Sequence, residues 1–311
     1  MPPRVPFLRH GARITQRFYS TPSASLVRVT NLPASGSGHI RVLELDRPKA
    51  RNAISRDLLA ALRVEIDDVH AQYDSEGREI AHRQRDSNGP TRALVLASAV
   101  DECFCAGADL KERRTFTQQE TADFLTNLRG AFASLAAVPI PTISAISSLA
   151  LGGGLELALS THFRVLTSNA TVGLPETRLG IIPGAGGTYR LPALIGLSRA
   201  RDLILTGRRV SASEAYFLGI ADRLVEVLPE DERDGVKLLE IARKGALSEA
   251  VRLAQEICEG GPIAIRAGLQ AVAWAREEVE NRMYERVVAT EDRNEALKAF
   301  QEKRRPIFKG R

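Results

Sequence analysis

Cysteine is scarce in this 311-residue chain. Cys103, Cys105 and Cys258 are odd in number, and no two form a Cys-x-x-Cys pair. That pattern excludes a disulfide scaffold and a thiolate zinc site and fits a reducing compartment. No apolar run approaches the roughly 18 uncharged residues that span a bilayer. His10, His39, His70, His82 and His162 make no ligand-spaced pair, so no metal centre is expected. Nucleotide-binding fingerprints are missing as well. Gly184-Ala-Gly186-Gly187 fails the dinucleotide pattern because Tyr189 holds its last position. Neither a P-loop nor a Gly-x-Ser-x-Gly elbow occurs, which removes P-loop enzymes and α/β-hydrolases.

Acidic residues are absent from the first 43 positions, where six Arg stand before the first acid, Glu44. Four of these Arg lie in residues 1–25, and subtracting four from the formal net charge of +5 leaves about +1. The body of the protein is therefore near neutral, and charge implies no nucleic-acid partner. An Arg-rich, Ser/Thr-bearing, acid-free leader has the composition of a mitochondrial transit peptide. Arg17-Phe-Tyr-Ser20 has the look of a matrix-protease cleavage site, so residues 1–25 are expected to be removed in the mitochondrial matrix.

What remains is ordinary globular composition, 44% hydrophobic and 26% charged, long enough for a sizeable core. Strand and helix patterns alternate from Gly38. Strands are expected at 39–45, 92–98, 142–146, 163–167, 170–173 and 223–227. Helices are expected at 55–72, 117–137, 198–206 and 211–218, with Ser211 and Glu214 forming a capping box. Residues 74–91 read as a polar surface loop. After Pro229 the pattern is helical almost to the end, broken near Gly260-Gly261-Pro262. The fold class is α/β with a helical appendage. Cys103 and Cys105, flanking Phe104, read as small core residues.

Within this frame Ala150-Leu-Gly-Gly-Gly-Leu-Glu156 is unusual. It joins two apolar segments through three glycines, which let a ligand atom approach bare backbone N–H groups. A helix beginning there aims its free amides and positive dipole end at that atom. Glu156 follows within one turn. Amide donors beside a carboxylate suit chemistry in which an oxygen gains charge while a proton moves nearby.

Two further segments have the same character: Cys105-Ala-Gly-Ala-Asp-Leu-Lys-Glu112, and Val172-Gly-Leu-Pro-Glu176 followed by Pro183-Gly-Ala-Gly-Gly-Thr188. The three, in this order and spacing, resemble the crotonase (enoyl-CoA hydratase/isomerase) superfamily. The likeness runs from about His39 to Arg311, and its wording is nearest the methylglutaconyl-CoA hydratase branch. The resemblance implies a crotonase-type spiral of ββα units at 26–248 and a C-terminal helical trimerisation region at 249–311. It implies a homotrimer or homohexamer, an acyl-CoA thioester as substrate, and no cofactor or metal beyond that substrate.

By the same resemblance, the N–H groups of Ala108 and Gly153 form an oxyanion hole. Glu156 activates water and Glu176 protonates Cα. Residues 46–53 and 106–111 border the coenzyme A site, with Lys49, Ala50, Ala53, Ala106, Gly107, Asp109, Leu110 and Lys111 as contacts. Phe300 and Lys303 are expected to reach the ligand of a neighbouring subunit. Two other readings compete with hydration: an enoyl-CoA isomerase on the same scaffold, and a non-catalytic RNA- or protein-binding homologue. The RNA-binding members carry a lysine comb on the first helix. Here that helix has no Lys and more acids than Arg, which argues against RNA. The chain also departs from the family pattern in its longer 74–91 loop and in Ile146-Ser-Ser-Leu149, where an Asn/Asp-Gly turn is usual.

Overall fold

The structure, a computed structural model, describes residues 25–80, 89–228 and 237–311. The leader reading for residues 1–25 therefore lies outside the described residues except for Ser25, as does part of the 74–91 loop.

The chain opens with strands β1 (Val27–Pro33) and β2 (His39–Leu45), then helix α1 (Arg56–His70). Ser55 caps α1 by accepting from Leu58 N, and Leu58, Leu62, Ile66 and Val69 form its buried face as their spacing predicts. Strands β3 (Thr91–Ser98) and β4 (Cys103–Cys105) follow, then the short α2 (Leu110–Arg113) and α3 (Gln118–Ala136). Helix α3 starts at a complete capping box between Thr117 and Glu120.

The next units are β5 (Thr142–Ile146), β6 (Leu149–Leu151) and α4 (Gly153–Ala158), then β7 (Phe163–Thr167) and β8 (Thr171–Gly173). Helices α5 (Gly187–Ile195) and α6 (Leu197–Thr206) lead to β9 (Arg209–Ser211), α7 (Ala212–Leu218) and β10 (Arg223–Val225). Four helices end the chain: α8 (Leu238–Cys258), α9 (Pro262–Trp274), α10 (Glu277–Val288) and α11 (Glu291–Gln301).

From β3 to β8 successive strands alternate between two sheets, while β1 and β2 both belong to the first and β8 and β9 both to the second. The first has the order β1-β2-β3-β5-β7-β10 and the second β4-β6-β8-β9. Pairing is parallel throughout except β1 with β2 and β8 with β9. From β3 to α5 each turn of chain thus gives one strand to each sheet and then a helix, which is the expected ββα spiral. All residues of β3 and β5 are buried, as parallel strands covered on both faces should be. One core lies between the sheets and helices; the other lies under α8, whose Ala246, Ala250 and Ala254 bring it close to the large sheet.

Helix α8 runs continuously through 248/249, and its Ala246, Ala250, Ala254 and Cys258 pack on the large sheet. Several expectations need correction. Ser211 caps α7, but Glu214 does not complete the box. Its carboxylate pairs with Arg208 at 2.8 Å, and a guanidinium outbids a backbone amide for it. Strand β1 gave no alternating signal because it is an edge strand, mostly exposed and ending in proline. The 74–91 segment is not wholly a surface loop. Glu79 is shared by Arg92 of β3 and Arg266 of α9, the latter at 2.8 Å, so it ties the C-terminal helices to the core.

Candidate active site

Two backbone segments some forty-five residues apart meet at the top of the small sheet. Gly152, between β6 and α4, has φ 54° and donates its N–H to Gly173 O of β8 at 2.8 Å. Gly107, just beyond β4, has φ 96°. Both conformations favour glycine, and both positions are crowded. A Cβ on Gly107 would lie 2.8 Å from Leu151 O and 3.3 Å from Gly153 N, and one on Gly153 would lie 3.6 Å from Ala108 N. The backbones therefore touch, and the Ala108 and Gly153 amides stand side by side. Neither donates to an acceptor within the described chain.

The Ala108 side is held by residues 51–54. Ile54 N donates to Gly107 O at 2.7 Å, Asp109 N to Ile54 O at 3.1 Å, and Ala106 N to Arg51 O at 3.1 Å. Asn52 braces this rail. Fully buried, its Oδ1 accepts from Arg47 N at 2.8 Å, and its Nδ2 donates to Ser98 Oγ at 2.8 Å and Phe104 O at 3.0 Å. Asp109 caps α2 and pairs with Arg47 at 2.6 Å. Burial opposes its ionisation, but Arg47 and the amides of Glu112 and Lys111 outweigh that and hold its carboxyl below the ordinary value.

Glu156 is 3% exposed on α4. Its Oε1 accepts from Ala185 N at 2.7 Å and Gly187 N at 2.9 Å. Burial raises its pKa, and those two amides only partly offset the rise. Glu176 opens a 3-10 turn, Glu176–Leu179, ended by Gly180 in the left-handed region. Its Oε2 is buried with no partner, and a Cβ on Gly152 would fall 3.0 Å from its Oε1. Burial, with help from the charge of Glu156 and against the pull of its own backbone amide, pushes Glu176 up to about 7.

Both carboxyls and both amides face one cavity of about 1020 Å³. Of the residues singled out from sequence, the cavity gathers Glu156, Glu176, Ala106, Gly107, Ala108, Leu110 and Gly153. Lys49, Ala50, Ala53, Asp109 and Lys111 do not line it. Phe300 is 84% exposed on α11, and Lys303 lies beyond that helix, so neither reaches the cavity of its own chain.

Sequence reasoning missed Asn52, the amides of Ala185 and Gly187, and Arg113 and Arg129 at the cavity wall. The glycine density at 184–187 was the one visible signal for the amides. Cys103 and Cys105 are buried, with their thiols pushed by burial to about 11 and about 12, which suits packing rather than nucleophilic chemistry.

Chemically, the arrangement offers two unengaged amide donors for one oxygen. Beside them stand one anchored carboxyl and one unanchored carboxyl that is half-protonated near neutrality.

Comparison with known proteins agrees with this geometry. A family model described as Enoyl-CoA hydratase/isomerase matches residues 35–311. The chain is 68% identical to methylglutaconyl-CoA hydratase 1, mitochondrial, of Pyricularia oryzae, over 96% of this chain and 91% of that protein. It is 57% identical to an enoyl-CoA isomerase/hydratase of Zymoseptoria tritici, over 94% and 91%. Among solved structures, an enoyl-CoA hydratase from Bacillus anthracis superimposes with a TM-score of 0.76 at 34% identity, over 92% of this chain and 100% of that one.

Proposed function

The chain belongs to the enoyl-CoA hydratase/isomerase family, and from that premise we propose that it adds water syn across the 2,3 double bond of a 2-enoyl-CoA thioester. The thioester oxygen accepts from the N–H groups of Ala108 and Gly153. Glu156 takes a proton from water as the water oxygen bonds to Cβ. The enolate charge that builds on the thioester oxygen is stabilised by the two amides, each donor worth on the order of 3 kcal/mol of barrier. Glu176 then delivers its proton to Cα on the same face. The reaction needs no metal or cofactor, because coenzyme A enters with the substrate.

The observation that carries this reading is the pair of unengaged amides beside two buried carboxyls held in unlike settings. Glu156, gripped by two N–H donors, is the better carboxylate; Glu176, with an unpartnered oxygen and a raised pKa, is the better acid. Isomerisation generally needs one such group, and two are present.

The substrate of the Pyricularia relative makes a 3-methylglutaconyl thioester the first to try. That relative's mitochondrial name, together with the arginine-rich first 25 residues, supports residence in the matrix. Exposed Val272, Trp274, Tyr284 and Phe300 on the C-terminal helices support self-association, as a homotrimer or a pair of trimers.

The test is loss of enoyl absorbance with purified protein and a panel of 2-enoyl-CoA thioesters. Glu156→Gln and Glu176→Gln are each expected to lower kcat by at least about a hundredfold. A wild-type rate in either variant removes that residue from the mechanism, and a 3-enoyl product in place of a 3-hydroxyacyl product makes the protein an isomerase.

A further inference from the structure

The loop that grips Glu156 is itself gripped from behind. Arg190, in the first turn of α5, reaches back along the chain. Its Nη1 donates to Ala185 O at 2.8 Å and its Nη2 to Phe132 O of α3 at 3.4 Å. The guanidinium lies 4.8 Å from the Tyr189 ring. Among the described residues no carboxylate pairs with it, whereas Arg47, Arg92, Arg164 and Arg266 each meet one. Arg190 does not line the cavity, so it stands behind the loop and out of reach of a substrate.

Ala185 is thereby held at both ends, its N–H by Glu156 Oε1 at 2.7 Å and its carbonyl by Arg190. Gly187 N meets the same carboxyl oxygen at 2.9 Å. Two N–H groups two positions apart converge on one oxygen through Gly186, whose φ is 117°. A Cβ on Gly186 would collide with Arg190 Nη1, so the guanidinium fills the space that a side chain there would take. Residue 186 is bare, and its support comes from four positions later in the chain. Removing that support leaves the Ala185 carbonyl without this donor and frees the peptide planes that set the two amides.

We propose that Arg190 is a positioning residue for hydration: by holding the Ala185 carbonyl it keeps the Ala185 and Gly187 amides trained on Glu156 Oε1, leaving Oε2 for the proton of water. This rests on the hydration reading and adds the residue that sets its base. Charge acts in the same direction as geometry. Burial raises the pKa of Glu156, and the amides of Gly187 and Ala185, then the charges of Arg190 and Arg129, offset part of the rise. The charged groups around Glu156 are Arg190 from α5, Arg129 from α3 and Glu176 from the 3-10 turn. Behind α4, Cys105 of β4 is a neutral thiol that burial pushes up to about 12.

The experiment follows kcat and KM across pH for the wild type, Arg190→Met, Arg190→Gln and Arg190→Lys, with the 2-enoyl-CoA thioester that the wild type hydrates fastest. Arg190→Met is expected to lower kcat about tenfold or more with KM within about twofold, because the loop is misaimed while the cavity lining is intact. Its acidic limb should move to higher pH by about half a unit or more, since a Glu156 that has lost a nearby cation and its aimed amides ionises later. Arg190→Gln keeps one donor without the charge. It should show the same displaced limb with a smaller loss of kcat, and it decides the matter if the Met variant does not fold. Arg190→Lys keeps the charge but cannot span Ala185 O and Phe132 O together, so its limb should stay near the wild-type position at reduced kcat.

An acidic limb that stays in place in both neutral variants overturns the inference and leaves Arg190 a prop for α5. So does a wild-type kcat in Arg190→Met, or a loss carried by KM alone, which would put Arg190 against the substrate. A wild type that hydrates no thioester removes the hydratase reading and this inference with it, whereas an active wild type with an unmoved limb in the variants removes this inference alone.

Discussion

Glu156 and Glu176 are the same side chain in two surroundings, and the surroundings divide their work. Glu156 receives two backbone amides; Glu176 keeps a buried oxygen with no partner. With a folded pKa of about 7 against an ordinary 4.5, Glu176 is about nine-tenths neutral one unit below neutrality and mostly ionised one unit above it. If it is the acid, kcat/KM for hydration should decline as pH rises through about 7, and this alkaline limb should be missing from the residual activity of Glu176→Gln. The stability sign follows from the same shift. Between 4.5 and 7 the folded state binds more protons at this site than the unfolded chain, so the site's contribution falls as pH rises through that window. Glu176→Gln should therefore be more stable than wild type by about 1 kcal/mol above pH 7, measured by urea unfolding.

At the scale of elements, catalytic geometry rests on how closely the β6–α4 turn approaches the end of β4. Gly154 is the tightest point. A Cβ there would fall 2.1 Å from Cys105 O and 2.9 Å from Cys105 Cβ, so backbone must move to admit it. Gly154→Ala should cost about 2 kcal/mol of stability, within the range for overpacked cores. Because Cys105 leads directly into Ala106-Gly107-Ala108, kcat should fall even where the variant remains folded. Chemical denaturation paired with steady-state kinetics checks both, and normal kcat in a destabilised Gly154→Ala would uncouple strand spacing from the amide pair. Asn52 serves the same end from the other side, bridging Arg47, Ser98 and Phe104 under the 51–54 rail.

Across the whole molecule, buried ion pairs fasten α9 to the spiral. Glu79 is shared by Arg92 and Arg266, whose side chains are each 5% exposed. Arg266 Nε also donates to Gly77 O at 2.9 Å. Removing the shared carboxylate strands two buried guanidinium groups, so Glu79→Ala should cost about 3 kcal/mol. Glu79→Gln, which keeps an acceptor, should cost less. Equal stability of Glu79→Ala and wild type in urea melts would mean that other contacts hold α9 in place. The C-terminal tail is held as well: buried Asp292 accepts from Lys309 N at 2.7 Å and Gly310 N at 2.8 Å, which closes the tail onto α11.

Local pattern by itself determined the alternating architecture. The apolar faces of α1 and α3, their caps, and strands β2, β3, β5 and β7 are properties of neighbouring residues, and short-range sterics and hydrogen bonding write them into the order of side chains. The glycine-rich segments and the two acids were visible for the same reason, since close backbone approach demands glycine wherever it occurs. Tertiary structure alone decided what those segments meet. Strands of three residues such as β6 and β9 carry no period to read, and the grip of Ala185 and Gly187 on Glu156 joins positions about thirty residues apart. Glu79 took its role from Arg266 in the same way, and Glu214 left its helix cap because folding brought Arg208 within reach. A partner distant along the chain is chosen by burial and charge after the backbone has closed, and nothing in the adjacent residues records that choice.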